Sequence, residues 1–95
     1  MDSAVTKTEL VRQVALKCDL TLKDAARAVD AVLDAIRGAA ARGERVNLPG
    51  FGAFVVVPTK ERTARDPWTG AEIRIPAGRA VRFRAGKALR EAVRR

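Results

Sequence analysis

The sequence predicts an α+β fold: an αα-hairpin, a three-stranded antiparallel β-sheet with a long protruding β-ribbon, and a short C-terminal helix. Three observations predict it. Apolar residues recur at helical spacing up to about residue 42, then alternate singly from Val46 onward. Between about 58 and 76, large apolar side chains become scarce around a strongly specified turn.

Thr6-Lys7-Thr8-Glu9 is a capping box that opens the first helix. Leu10, Val11, Val14, Ala15 and Cys18 recur along it, and Asp19-Leu20-Thr21 breaks it after about Lys17. Thr21 with Asp24 starts the second helix, whose stripe is Ala25, Val29, Val32, Leu33 and Ile36. Gly43 ends it after Arg42, a favourable charge at a helix C-terminus. Val46 and Leu48 then alternate with Asn47, Pro49-Gly50-Phe51-Gly52 turns the chain, and Ala53 to Val57 continue as a strand. Pro58 marks where regular central pairing is expected to stop. Ile73 and Ile75 alternate with Arg74, and Pro76-Ala77-Gly78 predicts a bulge or bend. Val81 and Phe83 alternate with Arg82 and Arg84, which gives one apolar and one basic face. Gly86 precedes a last helix over residues 87–93.

At the centre of the ribbon, Asp66 and Pro67 suit the first two positions of a type I turn. Gly70 suits the left-handed residue that follows in a bulged hairpin. An isolated two-stranded ribbon is marginal in water, so the arm is expected to be mobile until it meets a partner.

Ninety-five residues suit a single domain, 1–95, and the charge divides it. Residues 1–43 carry 7 basic and 6 acidic side chains, net +1, whereas residues 44–95 carry 12 and 5, net +7. The first half reads as scaffold and the second as working surface, with nucleic acid, anionic membrane or an acidic protein as the usual partners of such a chain. A hydrophobic content of 47% is too high for a disordered basic tail. Without the ribbon the body is very small, and its three Phe cluster around the sheet, so oligomerisation is favoured and a dimer is the simplest closed form.

Other classes are excluded on chemistry. The chain has no His, no Tyr and one Cys, so no metal site, nucleophilic pair or cofactor is expected, and no enzymatic activity or small-molecule substrate. Gly50-Phe51-Gly52 lacks the third glycine and the helix of a dinucleotide loop. Cys18 reads as a small packed residue in a reducing compartment. No apolar run is long enough to span a bilayer, and MDSAV lacks the pattern of a signal peptide, so a cytoplasmic, nucleoid-associated protein without a membrane partner is expected.

With this order assembled, the chain resembles the HU/IHF family of bacterial histone-like DNA-binding proteins, and HU more closely. The resemblance rests on KTEL at 7–10, KDA at 23–25, LPGFGAF at 48–54, RDPWTGAEIRIPA at 65–77 and FRAGKAL at 83–89. It implies an intertwined dimer with a helical base (1–43) and a saddle of sheet with its arm and last helix (44–95). In such proteins two arms wrap the minor groove, and a proline at each tip wedges between base pairs. Pro67 matches that proline, Arg62 and Arg65 match basic arm positions, and Lys87 matches a basic position flanking the saddle. Phe51, Phe54 and Phe83 match the aromatic dimer core, which Val32 and Ile36 extend. The sequence departs from the family pattern at several positions. Asp66 stands where Asn is usual, Val57 and Thr59 where basic residues are common, Ala85 where proline is usual, and Trp68 where a polar residue is ordinary. Residues 1–4 are an N-terminal extension.

Each site residue has a plainer reading beside the functional one. Pro67 suits its turn by conformation alone. Trp68 either folds back on the ribbon's aliphatic stems, covers a contact between chains, or lies against a sugar or an exposed base step. Arg62, Arg65 and Arg74 form either a solvated face or phosphate contacts, and Lys60 is similar but sits beside Glu61. Arg79, Arg82 and Arg84 are expected to line the saddle, two of the three on one face. Lys87 opposes the dipole of the last helix unless an anion binds there, and Arg94 and Arg95 complement its C-terminal end. Lys7 is equally suited to DNA or to an intrahelical or surface role.

The expected function is therefore architectural. The chain binds double-stranded DNA as a homodimer, largely without sequence specificity, bends it, and prefers nicked, bent or flexible duplexes. The alternatives are a site-specific bender like integration host factor, alone or as half of a heterodimer, and an RNA-binding basic module, for which Trp68 alone is a thin platform.

Overall fold

A computed structural model describes residues 3–94, so Met1, Asp2 and Arg95 lie outside the described residues, as does the dipole role expected of Arg95. The elements are α1 (Lys7–Cys18), α2 (Leu22–Ala41), β1 (Val46–Leu48), β2 (Gly52–Thr59), β3 (Arg62–Arg65), β4 (Glu72–Ile75), β5 (Gly78–Ala85) and α3 (Lys87–Arg94). The chain is thus α+β, and it divides into two compact units, one ending at Gly38 and one beginning at Ala39.

In the first unit, the Thr6 hydroxyl accepts from the Glu9 backbone N–H at 3.2 Å and caps α1. Only half of the expected capping box forms, because the Glu9 carboxylate turns to Arg12 instead, at 3.2 Å. Asp19, in the left-handed conformation, closes the C-terminal end of α1, and the Thr21 hydroxyl caps α2 through the Asp24 N–H. Lys7 is ion-paired to Asp30 at 2.5 Å on the surface, which ties the start of α1 to α2. Cys18 is exposed rather than packed, a correction to the expectation. It is the last residue of α1, where the chain is already turning away and no neighbouring turn of helix covers the thiol.

In the second unit, Gly43 adopts a left-handed φ of 78°. The Gly43 and Glu44 N–H groups then satisfy the Ala40 and Ala39 carbonyls, the double closure that stops a helix cleanly. The sheet has the order β1-β2-β5 and is antiparallel throughout. The strand runs two residues past Val57, pairing with β5 alone through Pro58↔Arg79 to Thr59↔Gly78. The reason lies in β1, which pairs only as far as Phe54. Beyond it β2 is an edge strand, where a missing N–H is tolerated.

The ribbon β3–β4 is a separate two-stranded ladder, yet no bulge separates it from the sheet. Lys60 and Glu61 lie between Thr59 and Arg62, and Pro76 and Ala77 lie between Ile75 and Gly78, two residues on each side. The register therefore carries through, and the expected bulge at Pro76-Ala77-Gly78 is only a gap in the hydrogen bonding, at a point where Pro76 has no N–H to donate.

The core within this chain is slight. Among the described residues the buried side chains are Ala15, Ala25, Ala53 and Val55, none larger than valine. On α2, Val32 is 58% exposed and Ile36 half-buried; at the sheet, Phe51 and Phe83 are 48% and 42% exposed. Val14, Ala28, Val29, Val32 and Leu33 line an open apolar hollow of about 270 Å³ in the first unit. Burying a large apolar side chain contributes roughly 1.5–3 kcal/mol, of which Phe51 and Phe83 forgo nearly half and Val32 more.

Candidate nucleic-acid interface

The strand register sorts the sheet's side chains onto two faces. One face carries Val46, Phe54, Val56, Val81 and Phe83, with Phe51 in the adjoining turn. Its rings are in contact: Phe54 and Phe83 lie 4.9 Å apart between centroids, and Phe51 and Phe83 5.6 Å, both tilted. Gly52 is required between them, since a Cβ there would stand 2.6 Å from the Arg84 carbonyl and from the Phe83 ring.

The opposite face carries Asn47, Ala53, Val55, Arg82 and Arg84. Register places Ala53 between Asn47 and Arg84 and sets Val55 beside Arg82, so the aliphatic stems of these arginines are in position to shield the strip. Arg45 joins this face by donating to the Asn47 side-chain oxygen at 2.8 Å. Sequence reasoning missed Arg45. Its signal was the two-residue spacing to Asn47, just outside the strand as read. Among the described residues, none of Arg45, Arg82 and Arg84 has a carboxylate within ion-pair distance. At the far end of the same face, Val57 and Thr59 are neutral, so the charge gathers at the β1 end.

Arg79 departs from the expected set. It falls on the other face by register, and its guanidinium donates to the Ala41 carbonyl at 3.3 Å, at the end of α2. A cation at that position complements the negative end of a helix. Arg79 therefore does not line the face of Arg82 and Arg84.

The ribbon is less uniformly basic than its composition suggests. One face presents Arg62 with Ala64, Ile73 and Ile75; the other presents Thr63, Arg65, Glu72 and Arg74. Arg74 is paired with Glu61 at 3.3 Å, and Arg65 lies directly across from Glu72. The second face is balanced in charge, whereas Arg62 faces no acid. Lys60 is exposed in the gap between the two ladders.

At the tip, four residues, Pro67 to Gly70, connect Asp66 to Ala71. The closing bond runs from the Gly70 N–H to the Asp66 carbonyl at 2.8 Å, one residue wider than a type I turn alone. Gly70 is left-handed, at a φ of 74°, as the sequence predicts. The half-buried Asp66 accepts the Trp68 N–H on its carboxylate at 2.8 Å, and Arg65 donates to the Gly70 carbonyl at 2.9 Å. Trp68 is 92% exposed, which rules out the reading in which it folds back along the ribbon. Pro67 beside it is exposed as well. At the other end of the unit, Lys87 opens α3 and stands 4.0 Å from Glu91, both exposed.

Among the described residues no group of acidic, Cys or His side chains is arranged to hold a metal ion, and no helix is long and apolar enough to cross a membrane.

This chain matches the family model described as bacterial DNA-binding protein over residues 5–94. It is 49% identical over 90 residues to the DNA-binding protein HU of Staphylococcus aureus, covering 95% of this chain and all of that protein. The corresponding protein of Geobacillus stearothermophilus is 47% identical over the same shares. Among solved structures, the Anabaena HU–DNA cocrystal structure superposes with a TM-score of 0.87 at 42% identity, covering 93% of this chain and 96% of that one. HU from Thermotoga maritima superposes with a TM-score of 0.65 at 33% identity, covering 93% and 97%. With the aromatic face, the basic face and the ribbon in place, and a match over nearly the whole length, the chain belongs to the bacterial DNA-binding protein family of which HU is a member.

Proposed function

We propose that the chain is an architectural protein of the nucleoid, in the bacterial cytoplasm, that binds duplex DNA as a homodimer and bends it with little regard to sequence. One observation carries the reading. The sheet separates an exposed aromatic face from a basic face without carboxylates, and the ribbon extends that sheet in unbroken register. Two copies joined through the aromatic faces, with Val32 and Ile36 of each helix covered, would present two basic faces and two ribbons to one duplex.

In this arrangement Arg45, Arg82 and Arg84 contact phosphates, and Lys87 adds a contact at the N-terminus of α3, where free N–H groups favour an anion. Arg62, Arg65 and Lys60 carry the ribbon along the minor groove, and Arg74 joins once Glu61 releases it. Pro67 enters a base step. Wedging an apolar side chain costs about a few kcal/mol of unstacking, offset by the contacts that bent DNA permits. Sequence-nonspecific binding fits the scarcity of base-reading groups: Asn47 is the only Asn and is engaged by Arg45, and Gln13 is the only Gln. The test is a titration of intact and singly nicked duplexes of one sequence. A preference for the nicked duplex supports bending, and equal affinities refute it.

A further inference from the structure

We propose that Trp68 is a base-stacking residue, so that the tip of the ribbon receives the face of an unpaired nucleobase beside Pro67. The inference rests on the DNA-binding reading above and gives it a ligand that neither the wedge nor the phosphate contacts require.

The turn itself does not need the indole. Its backbone is closed by Gly70 N–H to Asp66 carbonyl, by Asp66 N–H to Ala71 carbonyl, and by Trp68 N–H to the Asp66 carboxylate, each at 2.8 Å. Arg65 holds the Gly70 carbonyl from the side. None of these bonds uses the Trp68 side chain, which stands 92% exposed, and the three other aromatic rings lie at the sheet. The result is a flat ring on a fixed backbone with both faces open to water. Beside it is the rigid ring of Pro67, and Arg62 and Arg65 upstream draw in a polyanion.

A phosphate has no use for such a surface, and a paired base hides its faces in the stack. A nucleobase that has left the stack exposes a π-face of matching size, whatever its identity. The two tip residues then divide the work: Pro67 opens a step by insertion, and Trp68 takes a base that is already free. The ligand class is an unpaired nucleobase in DNA, as at a one-nucleotide bulge, a gap or a single-stranded flank.

Two duplexes of one sequence separate this contact from flexibility. Each carries a single extra nucleotide in one strand, as adenine in the first and as an abasic residue in the second. Both are hinged at the same position, and only the first offers a base face. The full-length protein should bind the adenine bulge more tightly by a factor between about 5 and about 150, the range of one stacking contact. Emission from Trp68, the sole tryptophan, should be quenched by the first duplex and not by the second. Trp68→Ala should bind both bulges equally, and Trp68→Phe should retain most of the difference. Equal wild-type affinities for the two bulges, or a difference that survives in Trp68→Ala, would overturn the inference while leaving DNA binding in place. Failure to bind any duplex would overturn the parent reading, and this inference with it.

Discussion

Asp66 is the residue at which geometry and charge pull in opposite directions. Its carboxylate holds the Trp68 N–H and so fixes the tip, yet it puts a negative charge next to the residue proposed to enter DNA. Asparagine has the same accepting oxygen without the charge. Asp66→Asn should therefore keep the turn and bind duplex DNA roughly 2- to 5-fold tighter at moderate salt, as expected for one exposed like-charge contact. Asp66→Ala removes the hydrogen bond as well, about 0.5–1.5 kcal/mol of turn stability, and should not gain affinity to the same degree. Titrations of the two variants against one duplex check this. Weaker binding by Asp66→Asn would mean that the carboxylate serves DNA binding directly.

At the scale of elements, the strands assign each arginine to a face. Arg82 and Arg84 share a face with Arg45, whereas Arg79 points the other way and caps α2. Arg82→Ala or Arg84→Ala should flatten the salt dependence of DNA affinity, by about 0.9 in the log–log slope for each phosphate no longer neutralised. Arg79→Ala should leave that slope unchanged and lower stability by roughly 0.5–1 kcal/mol through the freed carbonyl at the end of α2. Identical effects of all three substitutions on the slope would contradict the assignment. The alternation Val81-Arg82-Phe83-Arg84 made the two faces of β5 legible in the sequence, since a strand's period of two needs no tertiary information. Arg79 was not legible, because Gly78 and Ala80 beside it carry no polarity signal and its partner is a carbonyl 38 positions away. The carry-through of register past Pro76 was hidden for a similar reason: a proline announces a missing donor but not whether a residue has been inserted. Helix ends were plain throughout. Thr6, Thr21 and Gly43 act through local hydrogen bonds that depend only on neighbours in sequence.

At the scale of the whole molecule, the aromatic cluster is left partly open to solvent. Phe51 and Phe83 are nearly half exposed, Val32 more so, and the buried side chains are small. If two copies associate as proposed, the unfolding midpoint should rise with protein concentration. Thermal unfolding followed by circular dichroism over a hundredfold range of concentration measures this. A concentration-independent midpoint would mean that the single chain is the stable species. The small body and few aromatics led the sequence to suggest a dimer, but which side chains stay uncovered could be read only from the folded chain.

The central claim is that the ribbon bends DNA by inserting Pro67, and it is tested most directly by comparing intact with singly nicked duplex for the wild-type protein and for Pro67→Ala. A nick removes much of the stiffness that bending must overcome. The wild type should therefore bind the nicked duplex more tightly, and Pro67→Ala should narrow that gap while retaining the salt-dependent binding contributed by the arginines. Equal wild-type affinities for the two duplexes, or a preference unaltered by Pro67→Ala, would contradict the account.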